Sequence, residues 1–366
     1  MTLKNLIGLD MADLEKVCVL FKEPTFRAKQ LFDWVYNKGV RSIDEMSNLP
    51  KTFKNQLIEI ATIDRLNLKT VQQSTDGTQK WLLEFKDKNL AECVHIPEKT
   101  RGTLCISSQV GCTLTCKFCH TGTQLLVRNL ECSEVIGQVM AARDIFNEWP
   151  TPKERRHVSN IVMMGMGEPL YNYENVKKAL TIIMHNDGLA FSRHKITLST
   201  SGVVPEILKA AKDLRVNLAI SLHAVRNDLR NKIMPLNKKY PLEELLSVVR
   251  QYPEISKTDK VTFEYVMLKD VNDSIADARE LCRLIKGIPS KINLIPFNPW
   301  PGSDFERSTD QKIKKFAEIL ERAGYSSPIR TPRGEDILAA CGQLKSESER
   351  VRKNGCRSSV DNSVNV

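Results

Sequence analysis

The sequence has no run of eighteen apolar residues, so it offers no membrane-spanning helix. Its first residues, Met1-Thr2-Leu3-Lys4-Asn5-Leu6-Ile7, lack the basic-then-apolar layout of a secretory signal. Both absences point to a cytoplasmic address. A disulfide framework is out of place there, so the ten cysteines read as reduced, metal-bound or catalytic. No G-x-G-x-x-G opens a helix after a predicted strand, which argues against a dinucleotide-binding Rossmann sheet.

What is present bounds the rest. A chain of 366 residues suggests two domains, and 41% hydrophobic residues can bury a proper core. Lys plus Arg minus Asp plus Glu is 54 − 44 = +10, a balance that suits a polyanion such as nucleic acid. A soluble protein that is merely basic fits the same number.

Residues 1–95 read as a separate, mainly helical accessory unit. Leu14, Val17, Cys18 and Phe21 recur at helical spacing. A second helix is predicted from Arg27 to Lys38, bracketed by Pro24 and Gly39, with Leu31, Phe32, Val35 and Tyr36 inward. Lys80 to His95 reads as two strands about the turn Lys86-Asp87-Lys88-Asn89.

From about residue 100 short β-branched runs alternate with helical stretches. The predicted strands are Thr103–Ser108, Asn160–Gly165, Lys195–Thr200, Asn217–Leu222, Val261–Leu268 and Lys291–Pro296. The predicted helices are Ser133–Phe146, Tyr173–His185, Val204–Leu214, Leu242–Gln251, Ala276–Ile285 and Gln311–Ala323. The repeat implies parallel strands joined by right-handed crossovers, as a closed or partly closed barrel. This core is expected over 96–345, and a Ser-, Asn- and charge-rich tail over 346–366 reads as disordered.

Cys112, Cys116 and Cys119 form a C-x3-C-x2-C pattern after the first of these strands. Soft thiolates select zinc, Cu(I) or an iron–sulfur cluster. A [4Fe–4S] cube held by three thiolates keeps one iron open to a ligand. A structural zinc site wants four ligands, and His120 could be the fourth; inert burial is the remaining reading. The other unusual residues also fall where strands end, the place where parallel barrels gather their chemistry. They lie in Gly165-Met166-Gly167-Glu168-Pro169, Ser199-Thr200-Ser201-Gly202, Ser221-Leu222-His223 and Pro296-Phe297-Asn298-Pro299. Singly, each could be a turn, a cap or a structural histidine.

Cys112-x3-Cys116-x2-Cys119 followed by Gly167-Glu168 resembles the radical S-adenosylmethionine superfamily. Val162 to Pro169, Leu198 to Gly202 and Ala339 to Leu344 resemble its RlmN/Cfr family, with similarity from about residue 8 to about 345. The resemblance implies an α/β fold, a partial (βα)6 TIM-like barrel. It implies a [4Fe–4S] cluster on the three cysteines and S-adenosylmethionine, two per turnover. The cofactor would meet Gly167, Glu168, Ser199, Ser221, Leu222, His223 and Asn298.

The implied activity is methylation of adenine C2 in 23S rRNA and tRNA. That carbon has no lone pair to attack a sulfonium methyl, so a radical route is needed. In the family one cysteine takes a methyl, the radical removes a hydrogen from it, and the methylene carbon adds to the ring. A second cysteine then attacks sulfur, closing a transient disulfide and freeing the methylated base. Cys341 matches the methyl carrier, Cys105 the resolving thiol, and Glu92 the carboxylate that accepts the C2 proton. Cys18, Cys93, Cys132, Cys282 and Cys356 are expected to be packing.

Adenine C2 is hidden in a stacked helix, so the target base must be unpaired or flipped out. Basic segments at Lys153–His157, Arg193–Lys195, Asn237–Lys239 and Arg330–Arg333 fit an RNA-facing surface, though each also fits a solvated face. Arg27, Lys29 and Lys38 could grip RNA outside the pocket. An electron-donating reductase and a monomeric state complete the expectation. The alternatives are a Cfr-type methylase acting at adenine C8 and a non-catalytic, zinc-stabilised RNA-binding module.

Overall fold

The structure, a computed structural model, describes residues 3–154 and 156–346. Arg155, Cys356 and all of the expected tail but Ser346 lie outside the described residues.

After a two-residue strand, Lys4–Asn5, that pairs with Ala61–Thr62, come three helices, α1 (Met11–Leu20), α2 (Phe26–Phe32) and α3 (Lys51–Ile58). Asp10 caps α1 by accepting from Asp13 N at 2.9 Å, and Leu14 and Cys18 turn inward. The second predicted helix is α2 continued by a π-helical turn over Asp33–Asn37, and it buries Leu31, Phe32, Val35 and Tyr36 as expected. This unit does not stand apart. Lys178 pairs with Asp13, the Phe32 and His185 rings lie 4.5 Å apart, and its apolar side chains join the main core. Gly39, at φ +66°, lies directly under Trp149, where a side chain would collide with the indole.

Three antiparallel strands follow: β1 (Asn67–Gln73), β2 (Gln79–Glu84) and β3 (Leu90–Pro97). They are continuous with six more, β4 (Gly102–Cys105), β5 (Asn160–Met163), β6 (Ile196–Thr200), β7 (Asn217–Ser221), β8 (Val261–Met267) and β9 (Ser290–Pro296). The result is one nine-stranded sheet in strict sequence order. β3 pairs antiparallel with β4, and every pair from β4 to β9 is parallel. The expected boundary at residue 95 thus falls inside β3, the third strand from one edge of the sheet.

Helices α4 (Cys132–Ile145), α5 (Tyr173–Met184), α6 (Val204–Asp213), α7 (Asn227–Ile233), α8 (Leu242–Ser256) and α9 (Ile275–Leu284) cross between the parallel strands. Helix α10 (Asp310–Arg322) follows β9. Burial explains the two kinds of sequence pattern. All of β8, Val-Thr-Phe-Glu-Tyr-Val-Met, is buried, as a strand covered on both faces requires. The helices bury one stripe only: Val204, Ile207, Ala210 and Ala211 in α6, and Ile313, Phe316, Ala317 and Leu320 in α10. Among the described residues no helix is long and apolar enough to cross a membrane.

Candidate functional site

The cysteine loop follows β4 and is folded by its own backbone. Cys119 N donates to Cys116 O at 3.2 Å, and Gly122 N to Cys119 O at 3.0 Å. At Gly122 a Cβ would sit 2.5 Å from the Cys116 carbonyl, so only glycine fits that turn. The three thiols line one cavity of about 160 Å³. Burial is the main force pushing each thiol upward, Cys112 to about 12, and the neighbouring thiols push Cys112 and Cys116 further. Such a group gains most from a cationic centre, which deprotonates coordinating thiols.

The same cavity is lined by Gly167, Glu168, Ser199, Ser221, His223 and Asn298, brought from the carboxyl ends of the parallel strands. The Gly165–Glu168 turn packs tightly on the segment leaving β4. Met166 N donates to Ser107 Oγ at 2.8 Å, and Glu168 N to Gln109 Oε1 at 3.0 Å. Glu168 is buried and accepts from Leu170 N at 3.1 Å and Ser201 N at 2.8 Å. Burial raises its pKa against those bonds. His223, at φ +57°, accepts on Nδ1 from Val266 N at 3.0 Å. Burial, with help from Arg230, depresses it to about 3, so the ring is neutral. Leu222 turns into the core; its N–H donates to Glu264 O, and its carbonyl accepts from Arg230 and Ala224.

The sequence reading missed Arg230, a long side chain that ties these strand ends together from behind. Fully buried, it donates to Leu222 O (3.0 Å), Ser201 O (2.7 Å), Ser221 O (3.0 Å) and Asn237 Oδ1 (2.9 Å). Asn237 had read as part of a solvated basic run. From the same helix, α7, Ile233 O accepts from Lys117 N at 2.9 Å and so fastens the cysteine loop. Glu264 and Arg330 also line the cavity and were not singled out for it. An alternating polar position inside β8 was the available signal for Glu264.

A second, larger cavity of about 550 Å³ runs inside the sheet and is lined by Cys105 and Cys341. Both thiols are free; Cys341 also lines the first cavity. Asn298 Nδ2 donates to Cys341 O at 3.1 Å. Glu92 lines neither cavity. It is buried at the edge of this region, where Oε1 pairs with Lys80 at 3.0 Å and Oε2 accepts from Lys345 N at 2.8 Å. Burial raises its pKa, partly offset by Lys80.

Other expected residues have structural partners. His120, the possible zinc ligand, stacks on Trp300 with ring centroids 4.7 Å apart, and its N–H donates to Gly342 O. Arg156 is bound to the carbonyls of Pro152, Leu189 and Ala190. Arg27 pairs with Glu23, Lys29 with Asp187 and Lys38 with Asp33.

The donor set fits an iron–sulfur cluster with a bound sulfonium amino acid. Among the described residues no three His, Cys, Asp or Glu side chains close on a single ion. A cubane distributes its thiolates over separate irons, so it does not ask them to meet at one point. Beside the thiols Asn298 Oδ1 is buried without a partner, and Glu168 is a buried carboxylate with no cation paired to it among the described residues. An ammonium and a further donor are what that corner lacks.

A partial parallel barrel with three cysteines after its first strand defines the radical S-adenosylmethionine class, and the model of the Radical SAM superfamily matches residues 106–282. That class uses S-adenosylmethionine with an iron–sulfur cluster. The model of the ribosomal RNA large subunit methyltransferase N-terminal domain matches residues 4–63. The chain is 57% identical over 349 residues to the dual-specificity RNA methyltransferase RlmN of Rhodospirillum rubrum, covering 95% of this chain and 82% of that one. It is 56% identical to the RlmN of Gluconobacter oxydans, covering 96% and 87%. A radical SAM methyltransferase from Sphaerobacter thermophilus superposes with a TM-score of 0.86 at 40% identity, over 93% of this chain and 99% of that one. The chain belongs to the RlmN family.

Proposed function

We propose that this protein is a dual-specificity RNA methyltransferase that places a methyl group on C2 of adenine in 23S rRNA and tRNA. Cys112, Cys116 and Cys119 would hold a [4Fe–4S] cluster. Gly167, Glu168, Ser199, Ser221, Leu222, His223 and Asn298 would hold S-adenosylmethionine, with two molecules consumed per turnover. Leu222 contributes by holding the strand end, because its side chain is in the core. When bound and reduced by an external reductase, cluster and cofactor together supply a hydrogen-abstracting 5′-deoxyadenosyl radical.

The chain's own residues do the rest. Glu168 offers its buried carboxylate to the cofactor ammonium, and Asn298 offers its unpartnered Oδ1. Cys341 loses its proton and carries the methyl. Glu92 accepts the proton from C2, a role for which burial sets its pKa toward the working range. It must be released from Lys80 or Lys345 to do so. Once the ring adduct has given up its unpaired electron along with the C2 proton, the Cys105 thiolate attacks the Cys341 sulfur. The S–CH2 bond breaks, the carbon leaves with the electron pair and takes a proton to become the methyl group, and the two cysteines remain as a disulfide. The supporting observation is the place of Cys341: it stands in the wall common to both cavities, with the cluster thiols on one side and Cys105 on the other.

In the same reading residues 1–95 form the accessory RNA-binding part and 96–345 the catalytic core, and the enzyme works as a cytoplasmic monomer. Mass spectrometry of digested RNA after anaerobic turnover tests the proposal. The expected product is 2-methyladenosine; 8-methyladenosine would assign the Cfr-type reaction instead. A colourless anaerobic preparation holding zinc would overturn both.

A further inference from the structure

The interior of this barrel is not packed like that of a closed eight-stranded one, which branched apolar side chains fill. Polar residues stand among its inward positions, Asn160 on β5, Asn217 on β7, Thr262 and Glu264 on β8 and Asn293 on β9, beside apolar ones such as Val162 and Ile295. They line the 550 Å³ cavity, which runs from the two sulfur positions to the amino-terminal ends of the parallel strands. That volume is in the range that encloses a small organic ligand. The cofactor residues and cluster thiols lie at the opposite, carboxyl ends. The two cavities meet at Met164, Glu264, Ile295, Asn298, Arg330 and Cys341.

The charge at the far mouth is mainly positive, with Glu98 and the buried Glu264 as the acidic groups in its lining. Arg101 is neutralised by Glu98 at 2.7 Å, and Arg333 lies 3.8 Å from Asp76. Lys195, Lys291 and Arg330 have no carboxylate within 4 Å among the described residues. Lys291 is half-buried at the start of β9, where the buried Glu264 carboxylate faces it without forming a direct ion pair. Burial holds its ammonium below the usual lysine range. A polyanion lying across the mouth would meet all three cations.

We propose that the target nucleotide enters from the amino-terminal end of the barrel, through this polar cavity, with Lys195, Lys291 and Arg330 on the flanking RNA phosphates. The inference rests on the RNA-methylating reading above and adds the route. It gives Cys341 a place between two ligands. The thiol meets the cofactor through one cavity and the flipped base through the other, so neither has to leave for the other to arrive. Only an extruded nucleotide fits, which agrees with the need to unstack adenine before C2 can be reached. It also separates this surface from Arg27, Lys29 and Lys38 of the amino-terminal part, which each have a local ion pair.

The test uses anaerobically prepared holoprotein incubated with S-adenosylmethionine, then a tRNA transcript in filter binding over a series of salt concentrations. K195E, K291Q and R330Q are each expected to weaken binding about tenfold at low salt. Each should also reduce the slope of log affinity against log salt by about one, the signature of one lost phosphate contact. Lys195 is exposed, so K195E tests the idea even if the half-buried Lys291 variant folds poorly. Affinity and slope within twofold of the unaltered protein for both K195E and R330Q overturn the route. Intact-mass measurement of the unaltered protein separates the two levels. Absence of a methyl group on Cys341 defeats the functional reading itself; its presence, with RNA binding unchanged in the variants, defeats only the route.

Discussion

The amino-terminal helices and the carboxyl ends of the parallel strands use polar residues in opposite ways. In the helices charges meet each other in water. Asp13 lies 3.4 Å from Lys16, Lys38 lies 3.1 Å from Asp33, and Ser42 and Glu45 form a capping box. At the strand ends Arg230, Glu168 and His223 are buried, and Asn298 Oδ1 has no partner. The first arrangement matches charge with charge inside the chain. The second is satisfied mainly by backbone groups and leaves room for charges that the chain does not supply. Incompleteness of that kind is what marks a ligand site, because an unmatched buried polar group costs stability with no structural return.

The sharpest way to break the comparison is to remove a group from the incomplete side. Cys112→Ala should abolish bound iron in anaerobic preparations, measured by iron analysis and the visible spectrum. Full iron content in that variant would remove Cys112 from the ligand set. Cys105→Ala should next trap a covalent protein–RNA adduct, seen as a shifted band on a denaturing gel, while Cys341→Ala should take up no methyl from the cofactor. Normal turnover by Cys105→Ala would sink the resolving role. Glu92→Gln should slow turnover about 10²–10⁴-fold, the usual contribution of a positioned base. A rate within threefold of the parent would assign Glu92 to holding Lys80 and the 345 backbone and nothing more.

The six parallel strands and their long crossover helices were legible because burial dictates their pattern. β8 reads as a run of β-branched and aromatic residues broken by Glu264, and α6 as one apolar stripe, and each lies within a residue or two of its expected span. The cysteine triad, Gly167-Glu168 and the strand-end serines were legible because their types and positions are unusual together. β1 was not. Its sequence, Asn-Leu-Lys-Thr-Val-Gln-Gln, is exposed along its whole length at the sheet edge, so it lacks the alternation that burial imposes. Nor was α7 or its Arg230 visible. The helix is seven residues long with two of them buried, and an arginine beside Asn231 and Lys232 reads as surface. Its role comes from four partners scattered over Ser201, Ser221, Leu222 and Asn237, and no local pattern encodes that meeting. Glu92 shows the limit on the other side: the motif named it, but only the fold shows it held by Lys80 and Lys345.

Two smaller effects calibrate the contrast. Arg230→Gln cannot reach the three carbonyls that the guanidinium serves, and hydrogen bonds to a charged donor are worth about 1.5–3 kcal/mol each. A loss of about 3 kcal/mol is expected in denaturant unfolding, at the scale of one or two such bonds. Weaker binding of S-adenosylmethionine should accompany it, since the carbonyls belong to the strand ends that line its site. Lys16→Ala on α1 is the counterpart. Lys16 is 79% exposed and its partner Asp13 has a second cation in Lys178, so the pair is redundant and solvated. Exposed pairs of this spacing contribute about 0.2–0.5 kcal/mol. The unfolding midpoint should therefore barely move, and methyl loading on Cys341 should be that of the parent. A loss from Lys16→Ala as large as that from Arg230→Gln would erase the difference between a surface that pairs its charges and a site that leaves them waiting for a ligand.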